Sequence, residues 1–151
     1  MPTVIRVHSS DSKVYINDFE LDGVTFPAAE VQVEFVNPTG EGSMFPTGNL
    51  VDQLEVPNVG KLNATMINAG IPTIFLNADE IGYTGTELQG DINGDEKALE
   101  MFESIRAHGA MQMGLIKTLE EVKSRQHTPK VAFVGKASAY TSSSGKNINS
   151  D

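Results

Sequence analysis

Seven consecutive residues, Ser124-Arg125-Gln126-His127-Thr128-Pro129-Lys130, form the densest polar constellation in the chain. An imidazole, an amide, hydroxyls and two permanent cations within one short stretch can donate several charge-assisted hydrogen bonds to an anion at once. A second stretch, Tyr140-Thr141-Ser142-Ser143-Ser144-Gly145-Lys146, offers hydroxyls, flexible backbone N–H groups and one ammonium, the chemistry of an anion cradle. It is not a Walker A loop, because its glycine spacing is wrong. The plain alternatives are a solvated helix-to-strand connection for the first stretch and a disordered Ser-rich tail for the second.

Other chemistries are poorly supplied. The chain has no cysteine, which excludes disulfides, thiolate metal sites and thiol catalysis. Its three histidines, His8, His108 and His127, are far apart in sequence and show no metal-ligand spacing. Asp91-Ile92-Asn93-Gly94-Asp95 resembles the start of a calcium loop, but Glu96 stands where an EF-hand needs Gly and Phe102 where it needs the bidentate Glu. Asp95 reads more simply as a helix N-cap. Neither a metal nor a cofactor is expected.

These groups need a scaffold, and 151 residues with 39% hydrophobic content suffice for a real core. A net charge of −9 argues against nucleic acid as the main partner. No signal-peptide core and no apolar run of about 20 residues is visible, so a cytoplasmic protein with no membrane partner is expected.

The organising stretch is residues 62–88. Leu62, Ala64 and Met66 alternate with Asn63, Thr65 and Ile67, which predicts a strand, and Thr73-Ile74-Phe75-Leu76 predicts a second one. Gly70 and Pro72 turn the chain between them. In the loop from Gly82 to Thr86, small residues leave backbone N–H groups uncovered. Residues 50–56 read as a strand or a helical turn. Residues 3–7 and 13–16 predict a hairpin, Asp22-Gly23 a turn, and residues 30–35 a strand burying Val31, Val33 and Phe35. Between them and the organising stretch lies the loop of residues 37–49, in which Pro46-Thr47-Gly48-Asn49 suggests either a surface connection or a loop shaped for carboxylate binding.

A helix starting near Asp95 carries Leu99, Phe102 and Ile105, and is expected to bend or restart at His108-Gly109. Leu115, Ile116, Leu119 and Val122 then give another stripe, with Met111 and Met113 filling core gaps. Arg106 and His108 read either as ligand-facing or, as is more common for isolated charges near a helix end, as capping or solvated groups, and residues 130–134 read as a strand.

The segments PTGNLVDQLEVPNVGKLNATMINAGIPTIFLNADEIGYTGTELQGDIN, ESIRAHGAMQMGLI, SRQHTPKVAFV and SSSGK together resemble the 2-methylaconitate cis-trans isomerases, the PrpF proteins. The resemblance spans roughly residues 18–146. It implies an α+β chain with part of the two-lobed diaminopimelate-epimerase-like fold, a mainly antiparallel sheet or barrel packed on a helix. Residues 1–36 would be the end of the first lobe and residues 37–151 an incomplete second lobe. The strands at 30–35, 62–68, 73–76 and 130–134 would share one sheet, with the face bearing Ile74 and Leu76, or its alternate face, under-covered.

The family's activity is a cofactor-independent proton transfer on a tricarboxylate of the 2-methylcitrate route of propionate breakdown. Such chemistry needs an acid/base group and carboxylate donors that stabilise the delocalised anion. The resemblance places SRQHTPK and SSSGK beside the cleft, so Arg125, Gln126, His127, Lys130, Ser142, Ser143, Ser144, Gly145 and Lys146 are the expected substrate-binding residues. No catalytic residue is assigned. The family's Lys-bearing Ser/Thr-rich loop and its Gly-Asn-Cys-Gly-Asn helix start have no counterpart here, nor does its Ala/Gly-rich central helix. The chain thus resembles a central fragment, either a natural truncation or an excised piece. Two function classes stay open: an isomerase completed by a second copy or a companion lobe, and a non-catalytic carboxylate-binding module.

Overall fold

The strand signal in residues 62–68 is realised in full, and the rest of the sheet is built around it. The computed structural model describes residues 2–10, 13–14, 19–21, 24–39 and 42–150. In chain order the elements are β1 (Thr3–Val7), β2 (Ser9–Ser10), β3 (Lys13–Val14), β4 (Val31–Phe35), β5 (Asp52–Val56), β6 (Gly60–Asn68), β7 (Pro72–Asn77), α1 (Gln89–Asn93), α2 (Glu96–Gln112), β8 (Lys130–Val134), β9 (Tyr140–Thr141) and β10 (Asn147–Ile148). Short 3-10 turns occupy Ala78–Ile81 and Leu119–Ser124. The fold is α+β. Two compact units are present, one of Thr39–Lys136 and one of Met1–Pro38 with Ala137–Asp151. Among the described residues, no helix is long and apolar enough to cross a membrane.

In the Thr39–Lys136 unit, a four-stranded sheet has the order β5-β6-β7-β8. Gly70, at φ +101°, makes the turn from β6 to β7. Alternation sends Leu54, Val56, Leu62, Ala64, Met66, Ile74 and Leu76 to one face, where all are buried. Helix α2 covers that face through Ile105, which is fully buried, with Met113 packed alongside. Of the two faces either of which was expected to be under-covered, the one bearing Ile74 and Leu76 is therefore covered, whereas Thr65, Ile67, Thr73 and Phe75 on the alternate face are only half-buried. Tyr83, Phe102 and Phe133 add an aromatic cluster with ring centroids 5.2–5.6 Å apart, joining the loop, α2 and β8.

The sheet is mainly antiparallel, as expected: the pairs β5–β6 and β6–β7 are antiparallel, and β7 and β8 run parallel, with Thr73 opposite Lys130 and Leu76 opposite Phe133. Other expectations are corrected. Residues 30–35 are not in this sheet, because β4 pairs with β1 instead. Helix α2 passes through His108 and Gly109 without a break. A glycine costs a helix interior only about 1 kcal/mol, and burial of Ile105, Ala107 and Ala110 around it outweighs that cost. Met113 fills the core as expected, whereas Met111, Leu99 and Leu119 are exposed. Asp95 caps α2 as read, its Oδ1 accepting from Lys97 N at 2.9 Å.

In the other unit, β1 and β4 form an antiparallel ribbon and β9 pairs with β10. The predicted hairpin of residues 3–7 with 13–16 is replaced by β1–β4 pairing and a minimal β2–β3 ladder. Ile16 and the Asp22-Gly23 turn lie outside the described residues. Val31, Val33 and Phe35, expected in a core, are 53%, 48% and 58% exposed. They stand opposite Val7, Ile5 and Thr3 on one side of a two-stranded ribbon. Alternation specifies a shared face; it does not supply a layer to cover it.

Gly109 sets the distance between α2 and the sheet. A Cβ at this position would overlap Ile74 Cδ1 and stand 3.1 Å from Ile74 Cγ1. Gly109→Ala gains about 1 kcal/mol of helix propensity but overpacks a closed core, at a cost of about 1–3 kcal/mol. The expected net result is a lower denaturant midpoint. In an Ile74→Val background, which removes the obstructing methyl, Gly109→Ala should become neutral or stabilising. A single variant more stable than the parent would refute the close-packing argument.

Candidate functional site

The residues after α2 reach β8 through a turn, the 3-10 segment Leu119–Ser124 and the loop carrying Arg125, Gln126 and His127. Ile116 and Val122 are buried and pin this connection against Ala107 and Ala110 of α2. The loop itself is held from below by a side chain whose sequence context suggests a solvated, capping or ligand-facing role. Arg106 is 8% exposed. Its Nη1 donates to the carbonyl oxygens of Arg125 at 2.8 Å and Thr128 at 3.3 Å, while Nε and Nη2 donate to the Glu103 carboxylate at 2.8 and 2.6 Å. The hydrogen bonds to Glu103, aided by its charge, hold the Arg106 pKa above the ordinary value although burial opposes them. A periodicity reading could not find this contact, because the carbonyls involved lie 19 and 22 residues away.

On this support, Gln126, His127 and Lys130 are exposed, and Lys130 opens β8 opposite Thr73. Arg125 is exposed as well, but its guanidinium turns back onto the loop. Nε donates to Thr128 Oγ1 at 3.2 Å and Nη1 to the Leu115 carbonyl at 3.4 Å. The arrangement presents an imidazole, an amide and an ammonium on a backbone fixed at both ends.

The second expected stretch belongs to the other compact unit. It is the turn between β9 and β10, where Ser142 is buried and Gly145 takes φ +81°. The Ser142 and Ser144 hydroxyls bond each other at 2.9 Å, and Ser142 Oγ accepts from Lys146 N at 3.1 Å. Lys146 Nζ donates to Glu20 Oε2 at 3.2 Å. Ser144, Gly145 and Lys146 line a groove of about 430 Å³ with Glu20, Thr25 and Phe26. A carboxylate ligand there must compete with Glu20 for the ammonium. Ser143 is exposed in the turn.

Two other loops bind carboxyl groups of the chain itself. In the PTGN loop, Thr47 Oγ1 donates to Asp52 at 2.6 Å and Asn49 Nδ2 at 2.8 Å. Asp52 is buried at the start of β5, so a carboxyl group does occupy this loop, but it is the chain's own. In the loop after β7, the N–H groups of Thr84 and Gly85 and the Thr84 hydroxyl donate to Glu87 at 2.8–2.9 Å. The N–H groups read as uncovered are thereby satisfied. His108 is half-buried, its Nδ1 2.8 Å from the Ser104 carbonyl oxygen, and His8 makes an exposed 3.6 Å contact with Glu30. Among the described residues, no group of three or more His, Asp or Glu side chains is arranged to hold a metal.

Comparison with known proteins adds to this geometry. The family profile described as PrpF protein matches residues 3–151. A 2-methyl-aconitate isomerase of Shewanella oneidensis is 68% identical over 136 residues, covering 87% of this chain and 34% of the relative. One of the same description from Cupriavidus necator is 66% identical with the same coverage. A crystal structure of methylitaconate-delta-isomerase superposes with a TM-score of 0.81 at 30% identity, over 98% of this chain and 39% of that one. The chain spans about a third of the length of the two curated 2-methyl-aconitate isomerases.

The Glu87 staple has a measurable consequence. Hydrogen bonds from the Thr84 N–H first, then from the Thr84 hydroxyl and Gly85 N–H, lower the Glu87 pKa. A carboxylate with a depressed folded-state pKa contributes stability that is present above its unfolded pKa and lost as pH falls through the folded value. The Thr84 and Gly85 amide resonances should therefore titrate together, with a midpoint below the usual glutamate range, and Glu87→Gln should abolish that titration. A midpoint within the ordinary range would show that the staple does not form.

Proposed function

The chain belongs to the PrpF protein family, and from that premise we propose that it supplies the carboxylate-binding part of an isomerase acting on 2-methylaconitate-like tricarboxylates. The observation that carries this reading is the loop with exposed His127, Gln126 and Lys130 on a backbone fixed by Arg106. In the proposed reaction, a base takes an allylic proton, and the resulting electron pair delocalises towards a carboxylate. The double bond migrates, and a proton returns at the other allylic carbon, so no electrons are gained or lost. Cationic donors around the carboxylates lower the energy of that anion more than of the ground state, because its charge is greater.

A tricarboxylate approaching a protein of net charge −9 meets long-range repulsion. At about 0.1 M salt that repulsion is screened beyond about 10 Å, so the local donors decide binding. Arg125, Gln126, His127 and Lys130 are proposed to bind substrate carboxylate in one unit, and Ser142, Ser143, Ser144, Gly145 and Lys146 are proposed as carboxylate-binding residues of the other. In the same proposal residues 1–36 are the end of the first lobe and residues 37–151 part of the second. The second reading is a carboxylate-binding module without turnover. One observation favours it: Lys146 is ion-paired with Glu20, so its amine does not stand as a ready base.

Calorimetric titration with cis- and trans-aconitate separates these readings when run beside an isomerisation assay on the same preparations. The expected outcome is binding by the wild-type chain, without turnover. His127→Ala and Lys146→Ala should each weaken binding about tenfold, equivalent to roughly 1.4 kcal/mol, the scale of one charge-assisted hydrogen bond. Unchanged affinity in both variants would remove the proposed site. Turnover by this chain alone would overturn the second reading.

A further inference from the structure

The buried side chain beneath the cationic loop suggests a role that no motif announces. We propose that Arg106 is a positioning residue, which holds Arg125, Gln126 and His127 in the one backbone arrangement that lets them engage a polycarboxylate together. The proposal rests on the reading of that loop as a carboxylate site.

The geometry is specific to arginine. A guanidinium is a planar fork whose donors point in fixed directions, whereas an ammonium is a single point of charge. Here one side of the fork is taken by Glu103, which fixes the plane through two bonds at 2.6 and 2.8 Å. The remaining nitrogen, Nη1, reaches the carbonyl oxygens of Arg125 and Thr128 together. These two carbonyls bracket Gln126 and His127. Clamping both therefore fixes the backbone from which the imidazole and the amide project, while the side chains themselves remain exposed. The loop has its own weaker ties, namely the 3.5 Å bond from Thr128 N to Arg125 O and the 3.2 Å bond from Arg125 Nε to Thr128 Oγ1.

A clamp of this kind acts on cooperation between ligand groups. A ligand that needs several donors at once gains from a backbone ordered before binding, because the ordering cost is not subtracted from its affinity. A monocarboxylate, which uses one donor at a time, gains little. Simple loss of stability would weaken both kinds of ligand through the same fraction of unfolded chain, and the two causes can be told apart on that basis.

The experiment uses Arg106→Lys, which keeps the charge and most of the stem, and Arg106→Gln. Both are checked by circular dichroism at a temperature where the parent is folded. Trypsin cleavage of the Arg125–Gln126 bond, followed by mass spectrometry, reports the loop without any ligand, and calorimetry compares trans-aconitate with acetate. In the folded Lys variant, cleavage at Arg125 should rise at least tenfold and trans-aconitate affinity fall at least fivefold, with acetate binding unchanged. Wild-type cleavage and affinity in that variant would overturn the clamp. An equal loss for both ligands would reduce Arg106 to a stabilising residue and overturn the positioning role. If the wild-type chain bound no trans-aconitate while cleavage still rose in the variant, the carboxylate reading would fail and take the positioning role with it, leaving only a structural clamp.

Discussion

The close seating of helix α2 on the four-stranded sheet is the constraint on which the rest of the molecule depends. The helix approaches Ile74 at the position where it carries no side chain, Gly109, and inserts Ile105 one turn earlier into the same apolar layer. That contact fixes the rotation of α2 about its own axis, because residues four apart share a face. With Ile105 committed to the sheet, the neighbouring Arg106 is directed towards the connection that returns to β8. Its guanidinium then reaches the Arg125 and Thr128 carbonyls. A packing decision in the core thus determines where the exposed cations of the loop stand.

Burying an arginine is tolerable only because its donors are engaged. A guanidinium removed from water without partners costs several kcal/mol, but here Glu103 supplies a counter-charge and two backbone carbonyls accept what the carboxylate does not. The same economy recurs elsewhere. Asp52 is buried against Thr47 and Asn49, and the half-buried Glu87 accepts from the N–H groups of its own loop. Each of these loops meets a carboxyl group from the chain, while the loop at residues 125–130 meets the Arg106 guanidinium from beneath and turns its imidazole, amide and ammonium outward.

Local patterns in the sequence carried the local parts of this arrangement. Alternation through Leu62, Ala64 and Met66 identified β6 and its buried face, Gly70 the turn, and Asp95 the start of α2. What could not be read were relations between distant segments. Period-two alternation in residues 30–35 says nothing about the partner strand, so the pairing with Thr3–Val7 and the exposure of Val31, Val33 and Phe35 were both missed. The parallel register of β7 with β8 depends on the long crossover through α2, which no short window contains. Of the candidate site, the residue types in SRQHTPK and SSSGK were visible as anion chemistry. The sharing of Ser142 between Ser144 and the Lys146 N–H, the pairing of Lys146 with Glu20, and the support from Arg106 were not. Arg106 and His108 sit two residues apart with similar polarity, yet one is a buried clamp and the other a half-buried group facing a helix carbonyl. Only the three-dimensional neighbours separate them.

The central claim is that the loop at residues 125–130 is where a polycarboxylate lands. It is tested most directly by titrating the isotopically labelled chain with trans-aconitate and following backbone amide shifts. The account predicts saturable shifts led by the Gln126, His127 and Thr128 amides and the Lys130 amide, with the sheet residues of β5 and β6 unmoved. Saturable shifts confined to other surfaces, or none at millimolar ligand, would contradict it.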